Sequence, residues 1–421
     1  MGRRKGSLNK PKSNITLSKT KGGAYCINVK FEKQIEDAPV CRNTNRGWVS
    51  FGTDNRYPNK LADLYYNSPT HKSACDFLAN AILGEGVDFV QSGMGEDTQP
   101  NYQTSWDELI HNLALDYAIY GGYAMQIIKN KDGKTYSYYH QPFEMVRCSP
   151  YDEDGVITSY WVSEDWTATS KYPPIELPAF GFQEDEEIKS GKAYLFVYKD
   201  YCPMVNYYCL PRYNAAIKPI QTEIEMCRFD LRSVLNNFAA SGILTLNRID
   251  EEEERKAVID NINSMFVGAD NANSLIINFK NNDDEQPATF VKIDKDVAHV
   301  NLFEQLNERI TKKILTAHRM SKTLLGAELD GASLGGDGNE LAVQYNLYNV
   351  NVANMARKNV VKTINNALKM NGIETQIVLK PLKFNIVTTA DTSTNTTTAE
   401  TEHTDEQSEK ATSNNNNNTE I

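Results

Sequence analysis

Apolar positions change their period several times along the chain, and those changes divide it into segments. Over 58–83 the pattern is helical in two pieces, YPNKLADLYYNS and SPTHKSACDFLANAILGEG, with Ser68 placed as an N-cap, Pro69 at the first helical position and Gly84 near the stop. A further helix is expected over 104–120, acidic in its first turn and ended by Gly121 and Gly122. The period then falls to two. YAMQIIK and TYSYYHQ flank Asn130-Lys131-Asp132-Gly133, a hairpin signal, and GVITSYWVSEDW and KAYLFVYKDY continue the alternation of aromatic and β-branched residues. Residues 50–205 therefore read as one α+β body.

The next segment is different in kind. Ile217, Ile220, Ile224, Cys227, Leu231, Val234 and Phe238 follow one another at spacings of 3, 4, 3, 4, 3 and 4, a strict a/d seam with charged residues on the other faces. Such a narrow stripe needs a partner helix. The seam alone leaves open whether that partner lies in the same chain or in a neighbouring subunit. Residues 243–294 then predict a β-α-β-β unit: a strand over 243–247, EEEERKAVIDNINSMF as helix, and SLIINFK and ATFVKID as strands around NNDDEQ. A second long helix over 296–322 carries Phe303, Leu306, Ile310, Ile314 and Ala317 on one face. A glycine-rich link, LGAELDGASLGGDG, joins it to a third helix over 339–370, which at 1.5 Å per residue spans about 48 Å. The closing strand, IVLKPLKFNIV, must pair somewhere, and the first body is the expected partner.

Composition narrows the classes of function. Of 421 residues, 40% are hydrophobic, with 22 Tyr and 15 Phe, enough for real cores. No apolar run of membrane-spanning length occurs, and no apolar run follows the charged start, so neither a membrane span nor a signal peptide is expected. Seven cysteines without a C-x-x-C pair fit reduced thiols better than disulfides or structural zinc. The net charge of -11 argues against a protein that coats nucleic acid over its whole surface. That charge is uneven. Residues 1–30 hold eight Lys or Arg and no acid, whereas 388–421 hold seven acids and one Lys, so both ends read as mobile arms, the first partly and the second wholly disordered.

Candidate chemistry is weak. Gly331-Ala332-Ser333-Leu334-Gly335 matches the G-x-S-x-G nucleophile elbow literally, but Glu328, Leu329 and Asp330 precede it instead of a buried strand, more glycines follow, and the only later histidine is His403 in the polar tail. There is no phosphate-binding G-x-x-x-x-G-K-[ST], and Glu328, Asp330 and Asp337 would repel phosphate. His71, His111, His140, His299, His318 and His403 form no H-E-x-x-H and show no close pairing with cysteine, so no metal or other cofactor is expected and each reads as a surface or satisfied interior histidine. Glu251 to Glu254 read as a solvated helix start. No enzymatic function is expected.

The order of parts resembles the portal proteins, or head-to-tail connectors, of tailed bacteriophages. The similarity is carried by LPRYNAAIKPIQTEIEMCRFDLRSVLNNFAASGILTLN, a long helix closing with an aromatic and small residues, by NLFEQLNERITKKILTAHRMSKTLLG and the N-E-L-A helix after it, and by YAIYGGYAMQIIKNKDGK. The resemblance implies an α+β portal architecture in which 1–49 are an arm, 50–213 a wing, 214–241 a stem helix, 242–294 a clip, 295–324 a second stem helix, 325–338 a tunnel loop, 339–370 a long tunnel and wing helix, 371–387 a strand returning to the wing and 388–421 the acidic tail. It places Gly326, Glu328, Asp330, Ser333, Leu334, Gly335, Gly336 and Asp337 at a DNA channel, and Ile217, Ile220, Ile224, Leu231, Val234 and Phe238 on the stem seam. It further implies a homo-oligomeric ring of twelve at one capsid vertex of the virion, assembled in the bacterial host cytoplasm. The partners would be the terminase large subunit, major capsid and scaffold proteins and a head-completion adaptor, with double-stranded DNA passing through without sequence specificity and no membrane. C-terminal crown helices, present in many portals, are not visible in this sequence. The alternative is a capsid-associated or adaptor protein with similar helices and no channel.

Overall fold

The computed structural model describes residues 15–19, 25–29, 39, 41–44, 46–90, 98–181, 188–235, 242–266, 275–280, 289–292, 297–325 and 339–383. Two short strands come first, β1 (Ile15–Lys19) and β2 (Tyr25–Val29). The body opens with α1 (Tyr57–Asn67) and α2 (Pro69–Leu83). As the sequence predicts, Ser68 caps α2, its Oγ accepting the His71 N–H at 3.2 Å, and Pro69 occupies the first turn. A short strand β3 (Val87–Phe89) leads to α3 (Trp106–Tyr120), capped by Ser105 and stopped by Gly121 in the left-handed region at φ +79°. A side chain there would also bring Cβ to 2.5 Å from the Leu210 carbonyl, so Gly121 is required on two counts.

The predicted hairpin is β4 (Gly122–Lys129) and β5 (Tyr136–Gln141), paired antiparallel from Ala124↔Gln141 to Lys129↔Tyr136. Asp132 accepts the N–H groups of Lys134 and Thr135 and fixes its turn. β6 (Val146–Cys148), β7 (Ser159–Val162) and β8 (Ile175–Pro178) form a separate antiparallel sheet, and β9 (Ala193–Lys199) returns to the other edge of β4. Arg147, wholly buried, has its guanidinium satisfied by Asn55 and the carbonyls of Glu144 and Val146.

Beyond the body, α4 (Ile217–Leu235) leads out to β10 (Gly242–Leu246), α5 (Glu252–Phe266), β11 (Leu275–Phe279) and β12 (Thr289–Lys292). This is the expected β-α-β-β unit, with β10 parallel to β11 and antiparallel to β12, and Glu251 to Glu254 exposed at the start of α5. The basic arm contributes β1 and β2 to this unit, giving a five-stranded sheet in the order β1-β2-β11-β10-β12. A two-stranded ribbon is marginal alone, and β2 here meets the edge of β11, antiparallel at Ile277↔Tyr25; local sequence cannot report that edge.

α6 (Val297–His318) returns the chain, and α7 (Asn339–Tyr348), a π-helical turn (Asn349–Ala353) and α8 (Asn354–Met370) follow. The predicted third helix therefore holds a π turn. It sets Asn349 Oδ1 2.8 Å from the Arg357 guanidinium, whose Nε also donates to the Ile82 carbonyl at the end of α2. β13 (Ile377–Leu379) pairs antiparallel with β3, so the closing strand does return to the body. α3 and α8 lie against the β5-β4-β9 sheet, with the Tyr138 hydroxyl donating to the Ala367 carbonyl at 2.8 Å. Among the described residues Cys75, Cys148 and Cys209 are buried free thiols, and no helix is long and apolar enough to cross a membrane.

Candidate functional site at the root of the helix pair

α4 and α6 pair where they leave the body, and α1 and α2 pack on them there. The seam of α4 is deeply buried at this end, with Ile217 and Ile220 inaccessible and Ile224 nearly so. Facing it, α6 buries Ile310, Ile314 and Leu315. Farther out the stripe opens: Cys227 is exposed and Leu231 is 60% exposed. Intrachain contact moves to Phe229, whose ring stacks on Phe303 with centroids 5.2 Å apart. The strict seam thus splits in two, because the body covers its first half and α6 takes a different face of α4 beyond it. The side chains of Val234 and Phe238 lie outside the described residues.

A polar cluster sits inside this root. Glu223 of α4, 5% exposed, accepts hydrogen bonds from Ser68 Oγ and from Thr70 Oγ1, the latter at 2.5 Å. Both donors belong to the first turn of α2, so the carboxylate also faces the positive end of that helix. In the same turn, His71 Nδ1 lies 3.0 Å from His318 Nε2 at the end of α6, and Cys75, one turn farther, has its Sγ 3.7 Å from His71 Nδ1. Tyr213 packs edge-on to His71 and stacks on His318, while its hydroxyl donates to the Ile119 carbonyl at 2.7 Å.

Burial drives the His71 imidazole well below its ordinary pKa, and His318 alongside adds to the shift. Burial pushes His318 down to about 4, and burial first, then Asp76, raises the Cys75 thiol well above its ordinary value. All three groups are neutral near pH 7. The expectation that no histidine pairs with a cysteine is therefore corrected. His71 and Cys75 stand four residues apart on one helix, a spacing that is visible in the sequence and puts both on one face. His318 arrives only through the packing of α6 on α2.

The predicted channel residues Gly326, Glu328, Asp330, Ser333, Leu334, Gly335, Gly336 and Asp337 lie outside the described residues. Their frame is described on both sides. A 3₁₀ turn (Lys322–Leu325) follows α6, with Ser321 Oγ donating to Gln344 Oε1 of α7. α7 and the π turn bury Ala342, Tyr345, Tyr348 and Val352 and leave Val343, Leu347 and Val350 between 55% and 66% exposed. These three fall at i, i+4 and i+7, an apolar stripe that sequence reading did not single out.

No family model matches the sequence, and no curated protein matches it. Comparison of structures gives a different result. A chain in the neck of a native gene transfer agent (GTA) particle, computed with C12 symmetry, superposes over 82% of this chain and 86% of its own with a TM-score of 0.51 at 14% identity. The fold is that of a GTA neck chain. A chain in the neck of the empty GTA particle, computed with C6 symmetry, agrees, with a TM-score of 0.50, 12% identity and coverage of 83% and 91%. So does one in the virion of the native GTA particle, at 0.50, 13%, 81% and 87%. A crystal structure of an HK97 family phage portal protein from Corynebacterium diphtheriae aligns over 76% of this chain and 95% of its own at 10% identity, with a TM-score of 0.43 that adds no support. Similarity to the GTA neck chains extends over four fifths of the sequence and fixes the architecture.

Proposed function

We propose that this chain is a portal-type structural subunit, assembling head to tail into a ring through which double-stranded DNA passes at one vertex of a capsid. The observation that carries the reading is the fold shared with a neck chain in a particle computed with C12 symmetry. Residues 50–213 and 371–387 would form the wing, 214–241 and 295–324 the stem, 242–294 the clip, 325–338 the tunnel loop and 339–370 the helix behind it. On this reading β1 and β2 extend the clip sheet. A heterologous interface closes into a ring when its rotation is right, and it needs apolar surface left open on the single chain. The outer half of the α4 seam at Leu231 and the Val343, Leu347, Val350 stripe are such surfaces.

The clip would meet the terminase large subunit during packaging and a head-completion adaptor afterwards, and the wing would meet capsid and scaffold proteins. DNA would pass without sequence readout, because a loop carrying Glu328, Asp330 and Asp337 and no basic residue binds phosphate weakly and lets it slide. Single-particle imaging of the purified protein, with its mass measured in solution, tests the reading. Twelve copies of the 47.4 kDa chain give a ring of about 570 kDa with a central hole. A compact dimer with no hole would overturn it.

A further inference from the structure

The buried cluster at the root of the helix pair has the composition of a metal site. His71 and Cys75 of α2 and His318 of α6 each offer one ligand atom, and the three atoms all lie within 4.8 Å of one another. The residues are 0%, 0% and 8% exposed. With metal–nitrogen bonds of about 2.0 Å and a metal–sulfur bond of about 2.3 Å, ligand atoms around one ion stand roughly 3.4–3.7 Å apart. The pairs at 3.0 and 3.7 Å bracket that spacing. The widest separation needs a side-chain adjustment of about 1 Å, the scale of a small χ change.

We propose that His71, Cys75 and His318 form a three-coordinate site for a soft monovalent cation, copper(I), that ties α2 to the end of α6. Two arguments select the ion. Thiolate and imidazole together favour copper(I) or zinc, and structural zinc is nearly always four-coordinate, whereas this cluster supplies three ligands from side chains that are almost fully enclosed. Charge points the same way. One thiolate neutralises a monovalent ion, while Glu223, the buried acid of α4, is already held by Ser68 and Thr70 and by the start of α2, and Asp76, the acid beside Cys75, is part-exposed and paired with Lys72 at 3.1 Å. A divalent ion would therefore leave net charge in the core. On binding, the Cys75 thiol releases its proton to solvent and the imidazole–imidazole hydrogen bond is given up. His71 then carries its proton on Nε2 and His318 on Nδ1, which leaves one lone pair on each ring for the ion.

Without an ion the same groups are accommodated as neutral imidazoles and a thiol, so the experiment must observe the metal itself. Full-length reduced chain is titrated anaerobically against copper(I) held by bicinchoninate, whose colour fades as metal is withdrawn. The wild type and Cys227→Ser, which removes an exposed thiol outside the site, are expected to withdraw one copper per chain. Cys75→Ser and His318→Gln are expected to lose that withdrawal while keeping the wild-type circular dichroism. X-ray absorption of the loaded wild type should report one sulfur and two nitrogen neighbours, a readout that stands even if a variant fails to fold. The proposal is overturned if the wild type withdraws no copper, if Cys75→Ser withdraws as much as wild type, if the absorption shows several sulfurs, or if zinc(II) is retained and copper(I) is not.

Discussion

Replacing Glu223 by alanine removes the acceptor that joins α4 to the first turn of α2. Ser68, 1% exposed, and Thr70 would each lose a hydrogen bond to a carboxylate. A hydrogen bond to a charged group contributes about 1.5–3 kcal/mol, and a carboxylate at a helix start about 0.5–1 kcal/mol more. Against these stands the desolvation of the carboxylate, several kcal/mol, which the variant no longer bears. Because the buried Ser68 O–H remains and loses its acceptor, the balance is a loss of about 2–4 kcal/mol, with Glu223→Gln costing about half of that by keeping one acceptor. All four tryptophans lie between Trp48 and Trp166, so their fluorescence follows unfolding of the body in urea. The midpoint should fall with the slope unchanged. Thr70→Val combined with Glu223→Ala should cost about 1–2 kcal/mol less than the two separate changes added. A loss below about 0.5 kcal/mol for Glu223→Ala, or strict additivity with Thr70→Val, would refute the argument.

Four further outcomes follow from particular contacts. Burial raises Asp116 to about 6 even though His140, 2.7 Å away, pulls it down, and the hydrogen bond and charge of Asp116 in turn lift His140 above its ordinary value against the effect of its burial. A raised folded pKa gives stability that is complete below the ordinary carboxylate value and lost as pH rises through about 6, so urea midpoints of wild type and Asp116→Asn should converge or cross between pH 4 and 6.5 in the direction that disfavours wild type at the higher pH. Gly122→Ala would place a Cβ 2.6 Å from the Tyr198 carbonyl and 2.9 Å from Cys209 Sγ; a loss of about 2 kcal/mol or more is expected by thermal unfolding. Leu231→Asp and Leu347→Asp should leave the monomer's circular dichroism unchanged and abolish the ring in sedimentation experiments, since both side chains are about 60% exposed on one chain. Gly335→Pro with Gly336→Pro should impair DNA packaging in a particle assay while ring assembly continues, and normal packaging would remove the sliding role from the loop.

Local sequence determined those parts of the protein whose physics is local. Ser68 with Pro69, and Gly121, mark helix ends because capping and the left-handed stop act within one turn, and they stand where the pattern puts them. Asn130 to Gly133 fixes its hairpin for the same reason, and the β-α-β-β unit is read from its periods. The i, i+4 spacing of His71 and Cys75 was equally available, but a ligand pair acquires meaning only with a third group, and His318 stands 243 residues from Cys75. Tertiary structure alone decided that α6 returns against α2 and completes the cluster. It also decided that the body covers Ile217, Ile220 and Ile224 but not Leu231, which no period can express because the stripe itself is unbroken. The docking of β1 and β2 beside β11 is of the same kind. Strand pairing across such a separation depends on which edge is free, and an edge exists only once the sheet has formed.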